Sequence, residues 1–299
     1  MNMLTTPPMA GAPDSVDKHW RALFSGAFFS RQLPNGQRHT CMGKTMHYGP
    51  LRVQRPFYPE GNDLLHLYLL HPPGGLVGGD ELSINVKTSE GAKVLVTTPS
   101  AGKLYRNETQ MQQGQHVHII IEPDSAVEYL PQENIIFNGA KGTLNTLVEL
   151  KGDGLFIGWE ITCLGRPEGE ALFNEGCVKQ SLMIKQDGKP LFTDRLILNA
   201  NDGMMASQVG LQGKTTFGTF VINRNIDSQT LEKLVELQGT LNAQSKQAYV
   251  AATQKPGVLI IRGLGERAEP IRIMFEKIWQ LLRPCVHGRE MCVPRIWNT

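Results

Sequence analysis

The sequence predicts a mainly β fold with two α-helices in its C-terminal third. Turn signals such as Asn35-Gly36 and Asp187-Gly188 recur about every 10 to 15 residues through the first two thirds of the chain. The segments between them are short, and they are either apolar throughout or alternate between apolar and polar residues. Helical spacing of apolar residues begins only after residue 224. This pattern is typical of an all-β solenoid, sandwich or barrel, and it leaves these three open.

Strand-like segments account for most of the chain before residue 224. The clearest predicted strands are residues 93–98, 116–122, 126–130, 142–150, 155–164, 178–186 and 191–198. A further pair, residues 248–253 and 258–263, is joined through Lys255-Pro256-Gly257 and lies between the two predicted helices.

The first predicted helix begins after Asp227, whose short side chain suits an N-cap. Gly239 and Asn242 are expected to help end it. The second helix has an amphipathic stripe of apolar residues at Ile271, Met274, Phe275, Ile278, Trp279 and Leu282. Arg283 is expected to favour its last turn through the helix dipole, and Pro284 to stop it.

Bulk composition excludes several classes of protein. A net charge of +2 over 299 residues is too small to indicate binding to nucleic acid or an anionic membrane. The five scattered cysteines do not suggest a disulfide framework and favour a reducing, cytoplasmic setting. Neither a signal peptide nor a transmembrane run is expected. Residues 1–18 are expected to be a disordered tail and residues 19–299 a single domain, β-rich over 19–223 and α+β over 224–299.

A glycine-rich and proline-rich loop is the most unusual local feature of the sequence. It ends in the carboxylate Asp80, and it lacks the lysine of a phosphate-binding loop and the spacing of a dinucleotide loop. The alternating segment that follows it indicates a connection from strand to strand. The residues expected to shape this loop are His71, Pro72, Pro73, Gly74, Gly75, Gly78 and Gly79.

Several long motifs stand out in the sequence, at residues 49–60, 67–80, 98–106, 129–133, 164–167 and 294–297. In this order they resemble the urease accessory protein family UreD, called UreH in some organisms. The resemblance extends from about Phe24 to the C-terminus. It implies a β-helix-like stack of short strands with two flanking helices, and so a single UreD-like domain.

The resemblance also implies a function. UreD proteins are non-enzymatic scaffolds that act with UreF and UreG, a GTPase, to guide nickel into urease. The implied partners are UreF by direct contact, UreG through UreF, and the urease apoprotein. No cofactor is expected to be tightly bound, because nickel would be cargo in transit through an internal tunnel.

Three acidic residues are the predicted metal path. Asp80 ends the glycine-rich loop, and Glu160 and Asp194 interrupt apolar strands. A carboxylate in such a strand either faces outward, pairs with a neighbour such as Arg195, or lines a wet cavity. The resemblance associates all three positions with the ion path. Carboxylates would hold nickel weakly enough to release it, whereas imidazole and thiolate would retain it.

Two other sets of residues could hold a metal more tightly. His116 and His118 share one strand face, and Cys285, His287 and Cys292 cluster near the C-terminus. A solvated strand face and packed cysteines are the alternatives. No local catalytic motif is present, so no catalytic residue is predicted. The alternative functions are a β-rich metal-dependent hydrolase that uses His116, His118 and an acid such as Asp80, and a structural adaptor without an ion path.

Exposed aromatic and basic residues could form a partner surface. Lys103, Tyr105 and Arg106 belong to one of the family motifs, and Arg295 and Trp297 to another. Trp297 could instead pack the C-terminal tail onto the core.

Overall fold

The computed structural model describes residues 20–89, 91–166, 169 and 172–298, so the predicted tail at residues 1–18 lies outside the described residues. Seventeen strands and two α-helices occur in these ranges. They are β1 Arg21–Gln32, β2 Arg38–Tyr48, β3 Arg52–Val53, β4 Leu64–Leu70, β5 Glu81–Thr88, β6 Lys93–Thr97, β7 Gly102–Leu104, β8 Gln113–Ile121, β9 Ala126–Tyr129, β10 Asn134–Ile136, β11 Lys141–Leu150, β12 Leu155–Leu164, β13 Cys177–Gln186, β14 Lys189–Asn199, β15 Thr216–Ile222, α1 Ser228–Gln244, β16 Ala248–Lys255, β17 Val258–Gly265 and α2 Ala268–His287.

The central strands wind between two sheets. Successive parallel neighbours in the ten-stranded sheet are β4, β6, β9 and β12, and those in the seven-stranded sheet are β5, β8, β11 and β13. Because the chain visits the sheets alternately, each turn adds one strand to each. This confirms the mainly β, β-helix-like stack that the family resemblance implied.

Antiparallel strands extend both sheets beyond the parallel stack. The hairpin of β13 and β14 turns at Asp187 and Gly188, with φ of 48° and 79°. Positive φ at both central residues is what a two-residue hairpin loop requires, which explains the Asp-Gly pair. In the ten-stranded sheet, β15, β17 and β16 continue outward from β12.

Strand alternation separates two apolar cores. On β12, Phe156 and Leu164 pack between the two sheets, whereas Ile157, Trp159 and Ile161 pack beneath the helices. Side chains two residues apart share a face, so Glu160 faces the space between the sheets.

Helix α1 begins as predicted but ends later. Asp227 Oδ1 accepts a hydrogen bond from the Thr230 amide at 2.8 Å. The prediction that Gly239 and Asn242 help end the helix is wrong, because α1 continues to Gln244. The Asn242 side chain instead bonds both backbone groups of Val250 on β16, at 2.8 and 2.9 Å. This tertiary contact holds the last turn in place.

Helix α2 also passes its predicted stop. Pro284 lies within the helix, which ends at His287 with Gly288 in the left-handed conformation and its amide bonded to the Pro284 carbonyl. The single backbone bond lost at Pro284 is tolerated because Arg283 and His287, on either side, are held by buried carboxylates. In the described ranges, no helix combines the length and apolar character needed to cross a membrane.

Candidate functional site

Glu160 lies between the two sheets and is held by neutral donors. Thr146 Oγ1 donates to it at 2.5 Å and Gln180 Nε2 at 3.0 Å. Gln180 is oriented in turn by the Thr162 hydroxyl, which donates to its Oε1 at 2.8 Å. Burial is the main cause that raises the pKa of Glu160 to about 7; the charge of Asp194 adds to it and the two hydrogen bonds oppose it. Glu160 is therefore partly protonated near neutral pH.

Asp194 reaches the same space from the opposite sheet. Its Oδ2 accepts from Thr219 Oγ1 at 3.0 Å and from Arg262 Nη1 at 2.7 Å. The sequence suggested Arg195 as the partner; the structure uses Arg262, because Arg195 follows Asp194 on the strand and so points to the other face.

Glu160 and Asp194 line one cavity of about 420 Å³ that reaches the protein surface. Val209 and Arg262, both exposed, form part of its wall, so Glu160 lies at the deeper end. Most of the polar groups that face the cavity are carboxylate, hydroxyl and amide groups, whose oxygens can act as metal ligands. Such a set suits a hydrated divalent cation held weakly.

A second, smaller cavity of about 60 Å³ lies between the same two sheets, nearer β4 and β5. His71, Gln115, Tyr129 and Gln132 are among its polar lining residues. This volume exceeds what one water molecule needs. Tyr129 also lies near Glu160, because it pairs in register with Gly158, which shares a strand face with Glu160; burial and the charge of Glu160 both raise the pKa of its phenol. Tyr129 thus stands between the two cavities.

Asp80 serves the glycine-rich loop instead of lining either cavity. Its Oδ1 accepts from the Trp20 amide and its Oδ2 from the Val77 amide, both at 3.0 Å. The loop joins β4 to β5, as the sequence predicted. A Cβ on Gly75 would lie 2.9 Å from the Lys103 carbonyl oxygen, and one on Gly78 would lie 2.3 Å from Asn107 Oδ1. Asp80 and its glycines therefore close a tight turn, and the structure does not bring Asp80 together with Glu160 and Asp194.

The rest of the loop borders the smaller cavity. His71, Gly74 and Gly75 line it, and burial lowers the pKa of His71. Gly74 and Gly79 have positive φ, which their residue type permits. Pro72 and Pro73 occupy the turn that leaves β4.

A buried ionic cluster beneath α2 was missed by the sequence reasoning. Arg283 is fully buried and donates to both oxygens of Glu128 and both of Glu60. Burial alone would raise the pKa of Glu128, but the His287 hydrogen bond and the Arg283 charge outweigh it and hold the pKa at about 2. The signal was present, since Glu128 interrupts the predicted apolar strand 126–130. This cluster fastens α2 to the ten-stranded sheet.

In and next to this cluster lie three side chains of the kinds that commonly bind metal ions. Glu60, His66 and Cys292 place ligand atoms within 4.8 Å of one another, the only such group among the described residues. Arg283 already bonds both Glu60 oxygens, and burial raises the pKa of the Cys292 thiol. Arg283 therefore already supplies the positive charge beside Glu60 that a metal ion would supply. The raised pKa of Cys292 keeps its thiol protonated, which makes it a poor metal ligand.

Comparison with known proteins shows which family the chain belongs to. The family model described as UreD urease accessory protein matches residues 27–298. The chain belongs to the UreD family. It is 41% identical over 268 residues to the urease accessory protein UreD of Saccharophagus degradans, covering 89% of this chain and 90% of the relative. It is 40% identical over 291 residues to the UreD of Hahella chejuensis, covering 94% and 91%. Its role is that of a urease accessory protein.

The remaining predicted metal ligands of this UreD protein are dispersed. His116 and His118 share the outer face of the seven-stranded sheet, near Glu81 at 3.5 Å and Glu149 at 3.0 Å, respectively. Cys285 is exposed, whereas His287 is bonded to Glu128. The structure thus does not bring Cys285, His287 and Cys292 together as one ligand set.

The predicted partner residues differ in exposure. Arg106 is exposed and pairs with Glu108 and Glu175, Tyr105 packs against Phe137 at 5.0 Å, and Lys103 lines the smaller cavity. Arg295 is also exposed. Trp297 packs on the core: its ring lies 5.8 Å from that of Trp159, and its Nε1 donates to Thr97 Oγ1 at 2.8 Å.

Proposed function

We propose that this UreD protein guides nickel toward apo-urease through the space between its two sheets, without catalysing a reaction. The observation that carries the proposal is the cavity shared by Glu160 and Asp194. Both are carboxylates, and their immediate hydrogen-bond partners are hydroxyl, amide and guanidinium groups. Oxygen ligands bind nickel less tightly than imidazole or thiolate, so an ion that reaches this cavity can leave it.

The smaller cavity would extend the route past Tyr129 toward His71. Tyr129 pairs in register with Gly158, next to Glu160 on the same strand face, and it lines the smaller cavity, so an ion that leaves the larger cavity on this side would meet the smaller one. Asp80 would support this part of the route by holding the loop that carries His71, and not as a ligand. Glu160 and Asp194 would be the carboxylates that meet the ion.

We propose UreF as the direct partner, UreG as a partner through UreF, and the urease apoprotein as the recipient, all in the cytoplasm. The proposed surface for UreF is made of exposed apolar side chains on the helical side: Val235 on α1, Ile273 on α2 and Val293, which are exposed by 55%, 40% and 42%, respectively. Arg295 adds a cation at the C-terminal end of this surface. Replacing Val235 and Ile273 with Asp should prevent co-purification with UreF, whereas exposed Val209, on the cavity side, should tolerate the same change.

The test of delivery is reconstitution with UreF, UreG and apo-urease. Omitting the chain should abolish both urease activity and bound nickel while apo-urease still assembles. The double variant Glu160→Gln with Asp194→Asn should bind UreF normally and yet deliver little nickel. Full activation by this folded double variant would favour a structural adaptor without an ion path. Full activation without the chain would overturn the delivery role.

A further inference from the structure

Arg262 occupies a special position relative to the cavity. It pairs in register with Thr219 across β15 and β17, and Thr219 pairs with Glu160 across β12 and β15. These three residues therefore form one row across the ten-stranded sheet, all facing the opposite sheet. Asp194, on β14 of that opposite sheet, meets the outer end of the row.

The contacts at this end of the row concentrate on one carboxylate oxygen. Arg262 Nη1 donates to Asp194 Oδ2 at 2.7 Å and to Thr219 Oγ1 at 3.3 Å, and Thr219 Oγ1 donates to the same Asp194 oxygen at 3.0 Å. The side chain of Arg262 is 55% exposed and that of Asp194 27% exposed. The ion pair thus lies where the cavity meets solvent, with Glu160 behind it.

We propose that Arg262 is a tethered competitor for the cargo cation: its guanidinium occupies Asp194 at the cavity mouth until a divalent cation displaces it. The inference rests on the proposed function, since it concerns the same cavity and cargo. It assigns to Arg262 a gating role that Glu160 and Asp194 do not have.

Charge decides which ions can displace the guanidinium. At a given distance a divalent cation is attracted to the Asp194 carboxylate twice as strongly as a monovalent one. A monovalent ion gains no more Coulomb energy from the Asp194 carboxylate than the guanidinium already gains, and the guanidinium is tethered beside that carboxylate. Because exposed ion pairs contribute little free energy, displacement by a divalent ion costs little. Arg262 therefore keeps monovalent ions from Asp194 without trapping the cargo.

The test is Ni²⁺ binding to the full-length chain by equilibrium dialysis, compared between variants so that sites common to all of them cancel. Arg262→Gln should bind Ni²⁺ about fivefold more tightly at the cavity, equivalent to about 1 kcal/mol. Arg262→Met should do the same, and Arg262→Lys should stay close to the native chain. The matched control is Lys179→Gln, which removes one positive charge beside Gln180 but on the outer face; it should not change binding.

The gain must depend on Asp194. Adding Asp194→Asn to Arg262→Gln should remove it. The proposal is overturned if Arg262→Gln and Arg262→Met, both folded by circular dichroism, bind Ni²⁺ as Lys179→Gln does, or if the gain persists without the Asp194 charge. Urease activation separates this result from nickel delivery. If Arg262→Gln binds Ni²⁺ more tightly but the Glu160→Gln, Asp194→Asn variant activates urease fully, the gating role of Arg262 is retained and nickel delivery through the cavity is rejected. If Arg262→Gln binds Ni²⁺ as the native chain does but the double variant fails to activate urease, only the gating role is rejected.

Discussion

Glu160 and Arg262 lie two strands apart on one row of the ten-stranded sheet, separated by Thr219. Arg262 pairs with Asp194, and in the described part of the chain Glu160 is bonded by the neutral donors Thr146 and Gln180. Two acids in one cavity thus have opposite surroundings. Asp194 is paired with the guanidinium of Arg262. Glu160 has a raised pKa and neutral hydrogen-bond partners, so its carboxylate could pair with a metal cation that enters the cavity.

The raised pKa of Glu160 makes stability depend on pH. The unfolded carboxyl has a pKa of 4.5 and the folded one about 7, so the folded state holds the proton more tightly and stability is lost as the pH rises from about 4.5 through 7. Glu160→Gln, which cannot ionise, should be more stable than the native chain at about pH 8, by at most about 3 kcal/mol. Urea denaturation at about pH 5 and pH 8 measures the difference.

The exposed helix residue Glu236 provides the matched control. Glu236→Gln should follow the native pH dependence of unfolding. If Glu160→Gln shows the same fall in stability between these two pH values as Glu236→Gln, the raised pKa assigned to Glu160 is wrong.

Glu128→Gln should destabilise the fold by about 3 kcal/mol, because it removes a buried charge that faces Arg283. The pKa of Glu128 is lowered from 4.5 to about 2, so its contribution is complete above pH 4.5 and is lost as the pH falls toward 2. The variant should therefore lose less stability than the native chain over that range. Glu149→Gln, which weakens a partly exposed pair with His118, should cost less than about 1 kcal/mol. Equal costs in urea denaturation would contradict the assigned role of the cluster.

Trp297→Ala should cost about 2–3 kcal/mol and loosen the C-terminal segment, since the ring packs near Trp159 and Trp279 and bonds Thr97. Arg295→Ala, two residues away and exposed, should change stability by less than about 0.5 kcal/mol. Thermal denaturation with proteolysis of the C-terminus distinguishes them. If Trp297→Ala resists thermal denaturation and C-terminal proteolysis as well as Arg295→Ala does, the Trp297 ring does not anchor the C-terminal segment.

Gly75→Ala should destabilise the chain by about 1–3 kcal/mol, because its Cβ would lie 2.9 Å from the Lys103 carbonyl oxygen, which the backbone holds in place. Gly239→Ala is the matched change on α1, where a Cβ meets nothing within 4 Å, and it should stabilise by about 0.5–1 kcal/mol. Denaturation midpoints of the two variants should move in opposite directions. A shift in the same direction would show that the loop can relax around a side chain.

Local sequence predicted the strands of this fold better than it predicted how they stack. The Asp187-Gly188 turn and the alternation on β5 and β11 are local signals, and both elements formed. A solenoid and a sandwich share this alternation, so the family resemblance and not periodicity distinguished them. The helix ends were missed because α1 is held by Asn242 and Val250, a contact that no capping pattern encodes.

For the site, sequence found residues that violate a local pattern. Glu160 was conspicuous because it interrupts an apolar strand, and the structure places it between the sheets. Two facts depend on the strand register of β12, β15 and β17, which local sequence does not show. Glu160 shares a cavity with Asp194, and Arg262 is the ion-pair partner of Asp194. Arg283 and Glu128 are 155 residues apart, so their pairing carries no local signature.

The most direct test of the account is the nickel content of urease matured with variants of residue 160. Urease should be co-expressed with UreF, UreG and the native chain, Glu160→Asp, Glu160→Gln or the control Glu149→Gln, and nickel per urease subunit measured after purification. The account predicts near-native nickel with Glu160→Asp and Glu149→Gln and a several-fold loss with Glu160→Gln, at equal levels of the UreF complex. Native nickel content with Glu160→Gln, and again with Asp194→Asn added, would contradict it.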